Sequence, residues 1–485
     1  MKRSRSLGIT AVLCLAAAIL AMPLTAGAQP KKDLKRAKTL FDQADKAFAQ
    51  KNYRLAADQF AQSIAIAPQN PEAHYKKGMA HHFLKEEDQA LSEFDQALKQ
   101  NYGRPLDIYG VRWQIYAAQN NSESALADLK QAAALDPQNP QVLLALGDFG
   151  LSRGSNDSAL DAYQKASLRL PNNPEPYLGI ARVKYATGDA EGQLAAAQNA
   201  LKRGTQSFPE ATFLVGDALQ KLGRQEEALD TYKKALTADV NRFEVYQSMG
   251  EIYRSQGRFD DAIDIIRKGL AAVNLKIEER TKNAAPPEEL KVLNERAATM
   301  YTDASWYYSL VDKPEDAVQS AQAAIHLQPN LALAHTNLCR AYNDLKKPEM
   351  ALTQCNSALK IKPGDGETYF YLGRAYDLAN RKADAARSYK AAVTGLIDFT
   401  QQNPNYSDGF YLLGNAYYSD GQPQKAIEAY RKCLELNPRF GRARFNLGYI
   451  LNSQNNKQAA REQYASLLKI DATLAAKLKA EIDKQ

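Results

Sequence analysis

The chain has 485 residues, 45% hydrophobic and 24% charged, with a formal net charge of +7. This balance excludes an intrinsically disordered chain and a multi-span membrane protein. Because acids and bases are interspersed, there is no basic stripe of the kind nucleic-acid binding requires, and no nucleic-acid partner is expected.

The chain opens with Lys2, Arg3 and Arg5, an apolar run from Leu7 to Ala21, then Pro23 and the small-residue site Ala26-Gly27-Ala28. That pattern reads as a cleavable secretory signal peptide over 1–28, too short to remain as a spanning helix. Cys14 lacks the small residues that precede a lipid-modified cysteine, so no lipid anchor is expected. Cleavage predicts an exported, periplasmic or secreted protein without an integral membrane span. It removes three positive charges, leaving about +4. Residues 29–36 read as a linker. Cys339, Cys355 and Cys433 remain, and an odd count leaves at least one thiol unpaired in a monomer.

A chain of this length would ordinarily make about three globular domains. From residue 37, however, a 34-residue period runs through 37–70, 71–104, 106–139, 140–173, 174–207, 209–242 and 243–276, then 298–331, 332–365, 366–399, 407–440 and 441–474. Position twenty is Ala in all units but one, where Gln193 stands. Position eight is small almost throughout, for example Gly78, Gly216, Gly373 and Gly414, with Trp113 the exception. Both sites read as crossings of two antiparallel helices, where a larger side chain would force the axes apart. Position twenty-four carries aromatics such as Phe60, Phe94, Tyr232, Tyr389 and Tyr430. Pro68, Pro137, Pro171, Pro329, Pro363 and Pro438 fall at position thirty-two and end the second helix of their units.

This pattern resembles the tetratricopeptide repeat family over nearly all of Ala37 to Ala472. The resemblance implies an all-α, right-handed α-solenoid of about twelve helix-turn-helix units, with the first helix of each pair lining a concave groove. The array is expected over 37–276 (units one to seven) and 298–474 (units eight to twelve). A capping helix from Ala472 to Lys484 closes it, so that 475–485 is the end of the cap. The fifth unit, 174–207, departs most, lacking the alanine, the aromatic and the terminal proline. The extra residues 277–297 read as a helical insertion: two elongated helices joined at Ala284-Ala285-Pro286-Pro287, with Glu288 and Glu289 opening the second. Thr400 to Tyr406 read as a second, shorter lengthening.

No phosphate-binding Gly-rich loop, HExxH, CxxC or nucleophile elbow occurs, so no cofactor and no catalytic residue is expected. His74, His81 and His82 share one helix, but the first and second fall at core positions and no cysteine completes a ligand set, so no metal site is expected. Acids at position two (Glu72, Asp107, Glu175, Glu210, Glu244, Glu367, Asp408) are explained by the helix macrodipole.

In the family, positions two, five, nine, twelve and thirteen face the groove. Here position nine turns from acidic (Asp148, Asp217, Glu251) to basic (Arg340, Arg374) along the chain. The expected peptide-binding hot spot is therefore Trp306, Asn337, Arg340, Phe370, Arg374, Tyr411 and Asn415, with the two arginines exposed and converging on one carboxylate, or else pairing with Asp344 and Asp377. The carboxylate clamp of some family co-chaperones is matched only by Asn337 and Arg374. Cys339 and Cys355, at positions eight and twenty-four of one unit, face each other across its helices, as a disulfide or as two buried thiols. The expected function is a non-catalytic extracytoplasmic scaffold binding protein or peptide partners, in envelope or secretion-machinery assembly. The alternative is a scaffold of exopolysaccharide synthesis or export, and a remote one is a glycosyltransferase-associated repeat protein.

Overall fold

The structure is a computed structural model that describes residues 31–204 and 209–484. The signal-peptide and Cys14 expectations lie outside the described residues. Among those described, twenty-five helices run from α1 (Lys31–Ala49) to α25 (Ala472–Asp483), and there is no strand. No described helix is long and apolar enough to cross a membrane. Part of the expected linker is already helical: α1 begins at Lys31, because the run Lys31 to Arg36 contains good helix formers and Asp33 sits in the first turn.

The helices form two compact units, residues 1–153 and 154–485. The division falls inside the fourth repeat. The insertion at 277–297 does not separate domains; it lengthens two helices of the second unit, α14 (Phe259–Lys282) and α15 (Pro287–Leu310). Glu288 and Glu289 occupy the first turn of α15, as the macrodipole favours. The later extra residues extend α20 (Lys382–Gln402).

Each repeat is an antiparallel helix pair, and its architecture follows from three places in the register: position thirty-two, the meeting of positions eight and twenty-four, and position fifteen. Second helices that precede a position-thirty-two proline stop two residues before it: α2 at Ile66 before Pro68, α18 at Ile361 before Pro363, α22 at Leu436 before Pro438. The position-eight and position-twenty-four residues meet directly. A Cβ on Gly78 would lie 2.8 Å from the Phe94 ring in the first unit, and one on Gly373 would lie 2.5 Å from the Tyr389 ring in the second. The tyrosines at this site bury their rings, and their hydroxyls find partners, Tyr389 Oη at 2.7 Å from Asp377 and Tyr430 Oη at 2.6 Å from Asn415.

The third place is position fifteen, where every repeat has a left-handed residue, for instance Lys51, Lys85 and Asn120 in the first unit and Gly188, Asn380 and Gly421 in the second. This is the helix C-terminal turn: Asn380 N–H donates to Asp377 O at 3.0 Å and Arg381 N–H reaches back to Tyr376 O at 2.8 Å, satisfying carbonyls that the helix leaves open.

The fifth repeat is present despite its departures, as α9 (Glu175–Ala186) and α10 (Ala190–Arg203). Gln193 is fully buried where other repeats have alanine. Its Nε2 donates at 2.8 Å both to the Leu214 carbonyl and to Asp217 Oδ2, so hydrogen bonds to the next repeat replace a close helix crossing. At the C-terminal end, α25 buries Ala475, Leu478 and Ile482 and turns Lys477 and Lys479 outward.

Candidate groove site in the second unit

The first helices of the later repeats build the site: α13 (Phe243–Ser255), α15, α17 (Ala332–Asp344), α19 (Gly366–Leu378), α21 (Ser407–Ser419) and α23 (Gly441–Ser453). Two adjoining cavities, of about 750 and 440 Å³, lie between them, and Asp312, Arg340, Tyr371, Tyr411 and Arg442 line both. Volumes of this size fall in the range of small-molecule sites.

The cavities are narrow because the wall closes on itself across a superhelical turn. Arg254 of α13 donates from Nη1 to Asp408 of α21 at 3.1 Å, and the two side chains are only 7% and 8% exposed. Arg254 also binds Glu251 through Nε and Nη2 at 2.8 and 2.5 Å, and its guanidinium lies 4.6 Å from the Trp306 ring. A second bridge runs from Arg442 Nη2 of α23 to the Leu310 carbonyl at the end of α15, 2.7 Å. Burial disfavours the Arg254 charge, yet Glu251 and Asp408 outweigh it and hold the guanidinium protonated. The Asp408 carboxyl is pushed up by burial, against the pull of Arg254.

The seven expected groove residues divide between the cavities. Trp306 and Asn337 line the first, Phe370, Arg374 and Asn415 the second, and Arg340 and Tyr411 both. Several differ from expectation. Arg340 is not an exposed groove residue: it is 8% exposed, with its guanidinium over the Tyr371 ring at 5.6 Å. Arg374, whose side chain is 39% exposed, pairs with Asp344 at 3.3 Å, so the two arginines do not share one carboxylate. Asp377 is taken by Lys382 and the Tyr389 hydroxyl. Phe370 is packed in the core beside Tyr371 and Tyr389. Asn337 is buried and donates to the Thr302 carbonyl at 3.0 Å, an amide spent on holding α17 to α15. Asn415 receives hydrogen bonds from Tyr430 and Asn446. Tyr411 packs against Phe440 at 5.0 Å.

Arg254, Asp303, Glu367, Asp408 and Arg442 complete the wall and were absent from the expected set. Arg254 stands at groove-facing position twelve, and Glu367, Asp408 and Arg442 at groove-facing position two, so the register contained the signal. Burial pushes the Asp303 carboxyl up to about 6, against a hydrogen bond from Gln247. Burial, with Asp365 adding its negative field, pushes Glu367 up to about 7, and Arg340 pulls the other way.

Cys339 and Cys355 are joined as a disulfide, their Cα atoms 5.3 Å apart, while Cys433 is a buried free thiol. In the first unit His74, His81 and His82 each contact a glutamate (Glu93, Glu86 and Glu87) at 2.6 to 2.8 Å.

Comparison with known proteins places these features. Models of the tetratricopeptide repeat match residues 41–105, 114–174, 178–240, 245–280, 407–440 and 429–462. The small glutamine-rich tetratricopeptide repeat-containing protein 2 of Mycosarcoma maydis is 31% identical over 90 residues, 19% of this chain and 26% of that one. A UDP-N-acetylglucosamine--peptide N-acetylglucosaminyltransferase of Giardia intestinalis is 43% identical over 49 residues, 10% of this chain. The chain thus spans about a quarter of the first relative's length and 3% of the second's. Among solved structures, the C-terminal part of a repeat-containing protein from Cytophaga hutchinsonii superposes with a TM-score of 0.40 at 16% identity, covering 59% of this chain and 98% of that one. With the repeat models matching most of its length and a helix pair at every period, the chain belongs to the tetratricopeptide repeat family.

Proposed function

We propose that this protein is a non-catalytic, extracytoplasmic scaffold that binds proteins or peptides along the inner face of its second unit, in the assembly of an envelope or secretion machine. The repeat fold supports a protein-interaction scaffold. The observation that carries the reading to this face is the pair of adjoining cavities, which gathers Trp306, Arg340 and Tyr411 from the eighth, ninth and eleventh repeats. Aromatic area beside a desolvated arginine is the composition of an interaction hot spot. Export is supported by the basic, apolar and small-residue succession before Gln29. The absence of recognised catalytic motifs in the sequence favours binding over chemistry.

The test is cell fractionation with N-terminal sequencing of the mature chain, followed by in-cell crosslinking from the envelope fraction. Expected are a mature N-terminus at Gln29 and discrete crosslinked partners lost on filling the cavity, as in Asn415→Trp. A mature protein retained in the cytoplasm removes the extracytoplasmic reading, and partners unaffected by the cavity variant move the interaction elsewhere.

A further inference from the structure

Five arginines line the cavities; Arg439 is exposed to solvent, and of the other four three are satisfied within the protein. Arg254 has Glu251 and Asp408, Arg442 has the Leu310 carbonyl, and Arg374 has Asp344. Arg340 is the exception. It is 8% exposed, lines both cavities, and among the described residues forms neither an ion pair nor a hydrogen bond; it has only the face of Tyr371. A guanidinium carries five donors in a planar fork, and taking them out of water without acceptors is costly, so a buried fork facing empty volume points to an absent acceptor. The neighbouring Asp344, which could have filled that role, is turned to Arg374.

We propose that the paired cavities bind a ligand through one carboxylate, taken by Arg340, with an apolar or aromatic body lying against Trp306 and Tyr411. This rests on the reading of the same face as a binding surface and gives that reading a chemistry. A carboxylate matches the guanidinium fork with two parallel hydrogen bonds, which a neutral group with one acceptor does not reproduce. The cavity of about 750 Å³ admits a few residues of peptide or one small molecule, and the aromatic walls supply apolar contact. Glu367 lies in the same cavity, unpaired, and is the nearby acid whose field opposes a second negative charge.

Two sources share this chemistry, a free carboxylate on a small molecule or chain terminus and the side chain of an internal acidic residue. The experiment titrates the full mature chain, by calorimetry, with three probes: N-acetyl-phenylalanine, its amide, and the blocked peptide acetyl-Ala-Glu-Phe-Ala-amide. At least one carboxylate probe should bind, with the amide at least tenfold weaker. Binding of the first assigns a free carboxylate, and of the peptide alone an internal acid. Arg340→Gln should weaken the carboxylate probe at least tenfold, whereas Glu367→Gln should tighten it because a repelling charge is gone. Equal binding of acid and amide overturns the proposal, as does loss of binding in Glu367→Gln with retention in Arg340→Gln, or no binding of either carboxylate probe at 10 mM. Should Arg340→Gln fail to fold, the acid-against-amide contrast and Glu367→Gln decide alone. Envelope partners that crosslink to a protein deaf to both carboxylate probes leave the scaffold reading standing and sink this one.

Discussion

In a simple repeat array a substitution is felt by its own repeat and the two beside it. The Arg254–Asp408 pair changes that expectation, because it joins α13 to α21 across 154 residues of chain. Removing the Asp408 carboxylate leaves Arg254 buried with Glu251 as its only ion-pair partner. Breaking a buried pair on one side costs roughly 3–5 kcal/mol, and the retained Glu251 contacts reduce this to about 2–3 kcal/mol. With about 2 cal/mol/K per residue of unfolding entropy, a cooperative unit of this size loses roughly 3–4 °C in Tm. The decisive assay is native-state hydrogen exchange on Asp408→Asn, because it reads α13 and α21 separately. Amides of α13 should lose protection together with those of α21, and the paired change Arg254→Met with Asp408→Leu should recover most of it. A destabilisation under about 0.5 kcal/mol, or protection lost in α21 with α13 unchanged, would refute the closure of the wall across the turn.

The carboxyls of Asp303 and Glu367, pushed up to about 6 and about 7, bind more protons folded than unfolded between roughly pH 4 and 7, so their contribution to stability falls as pH rises through that window. At about 1.4 kcal/mol per pH unit, each carries a penalty of roughly 3 kcal/mol at pH 8. Urea melts at pH 5 and 8 should show Asp303→Asn and Glu367→Gln gaining more on the wild type at the higher pH; a gain equal at both is the contrary result. Gln193→Ala restores the residue that the other repeats use at position twenty, and should nonetheless destabilise by about 1–2 kcal/mol, because it removes the hydrogen bonds to Leu214 and Asp217 and leaves a void. An unchanged or higher urea midpoint would show that Gln193 is a tolerated departure.

What the sequence showed clearly was periodic. The helix-ending prolines, the alanine crossings and the lengthening of α14 and α15 each depend on neighbours within one or two repeats, and the residues that enforce them recur in register. The turn at position fifteen went unread: it falls on Gly or Asn in most repeats but on lysine in three, which hides it from a composition rule. The site was legible only in part. Groove-facing positions picked out Trp306, Arg340 and Tyr411, yet a period of 34 residues says nothing about which repeats meet after a superhelical turn. Asp408 therefore read as a helix-opening acid, which it also is, and its role toward Arg254 lay beyond the reach of the pattern. Arg340 read as exposed because the pattern marks which side of a helix faces the groove and not how Tyr371 of the next repeat packs on it, and Asn337 read as a ligand donor because its acceptor, the Thr302 carbonyl, belongs to the backbone.

One repeat differs from its neighbours in the moment at which it becomes complete. Where the second, sixth, tenth and eleventh repeats close a glycine against an aromatic ring, the ninth closes Cys339 against Cys355, and this bond exists only after two electrons have been withdrawn. Two thiols fill less space than a tyrosine ring, so a reduced chain packs that joint less closely than the glycine–aromatic joints. The loop of about 15 residues that the bond closes is worth roughly 3 kcal/mol, a large share of the strength of one interface. Arg340 follows Cys339 directly on the same helix. Oxidant in the surroundings thus sets when the wall that holds this guanidinium gains its covalent tie, and a chain kept among reducing thiols carries Arg340 beside a joint not yet bonded.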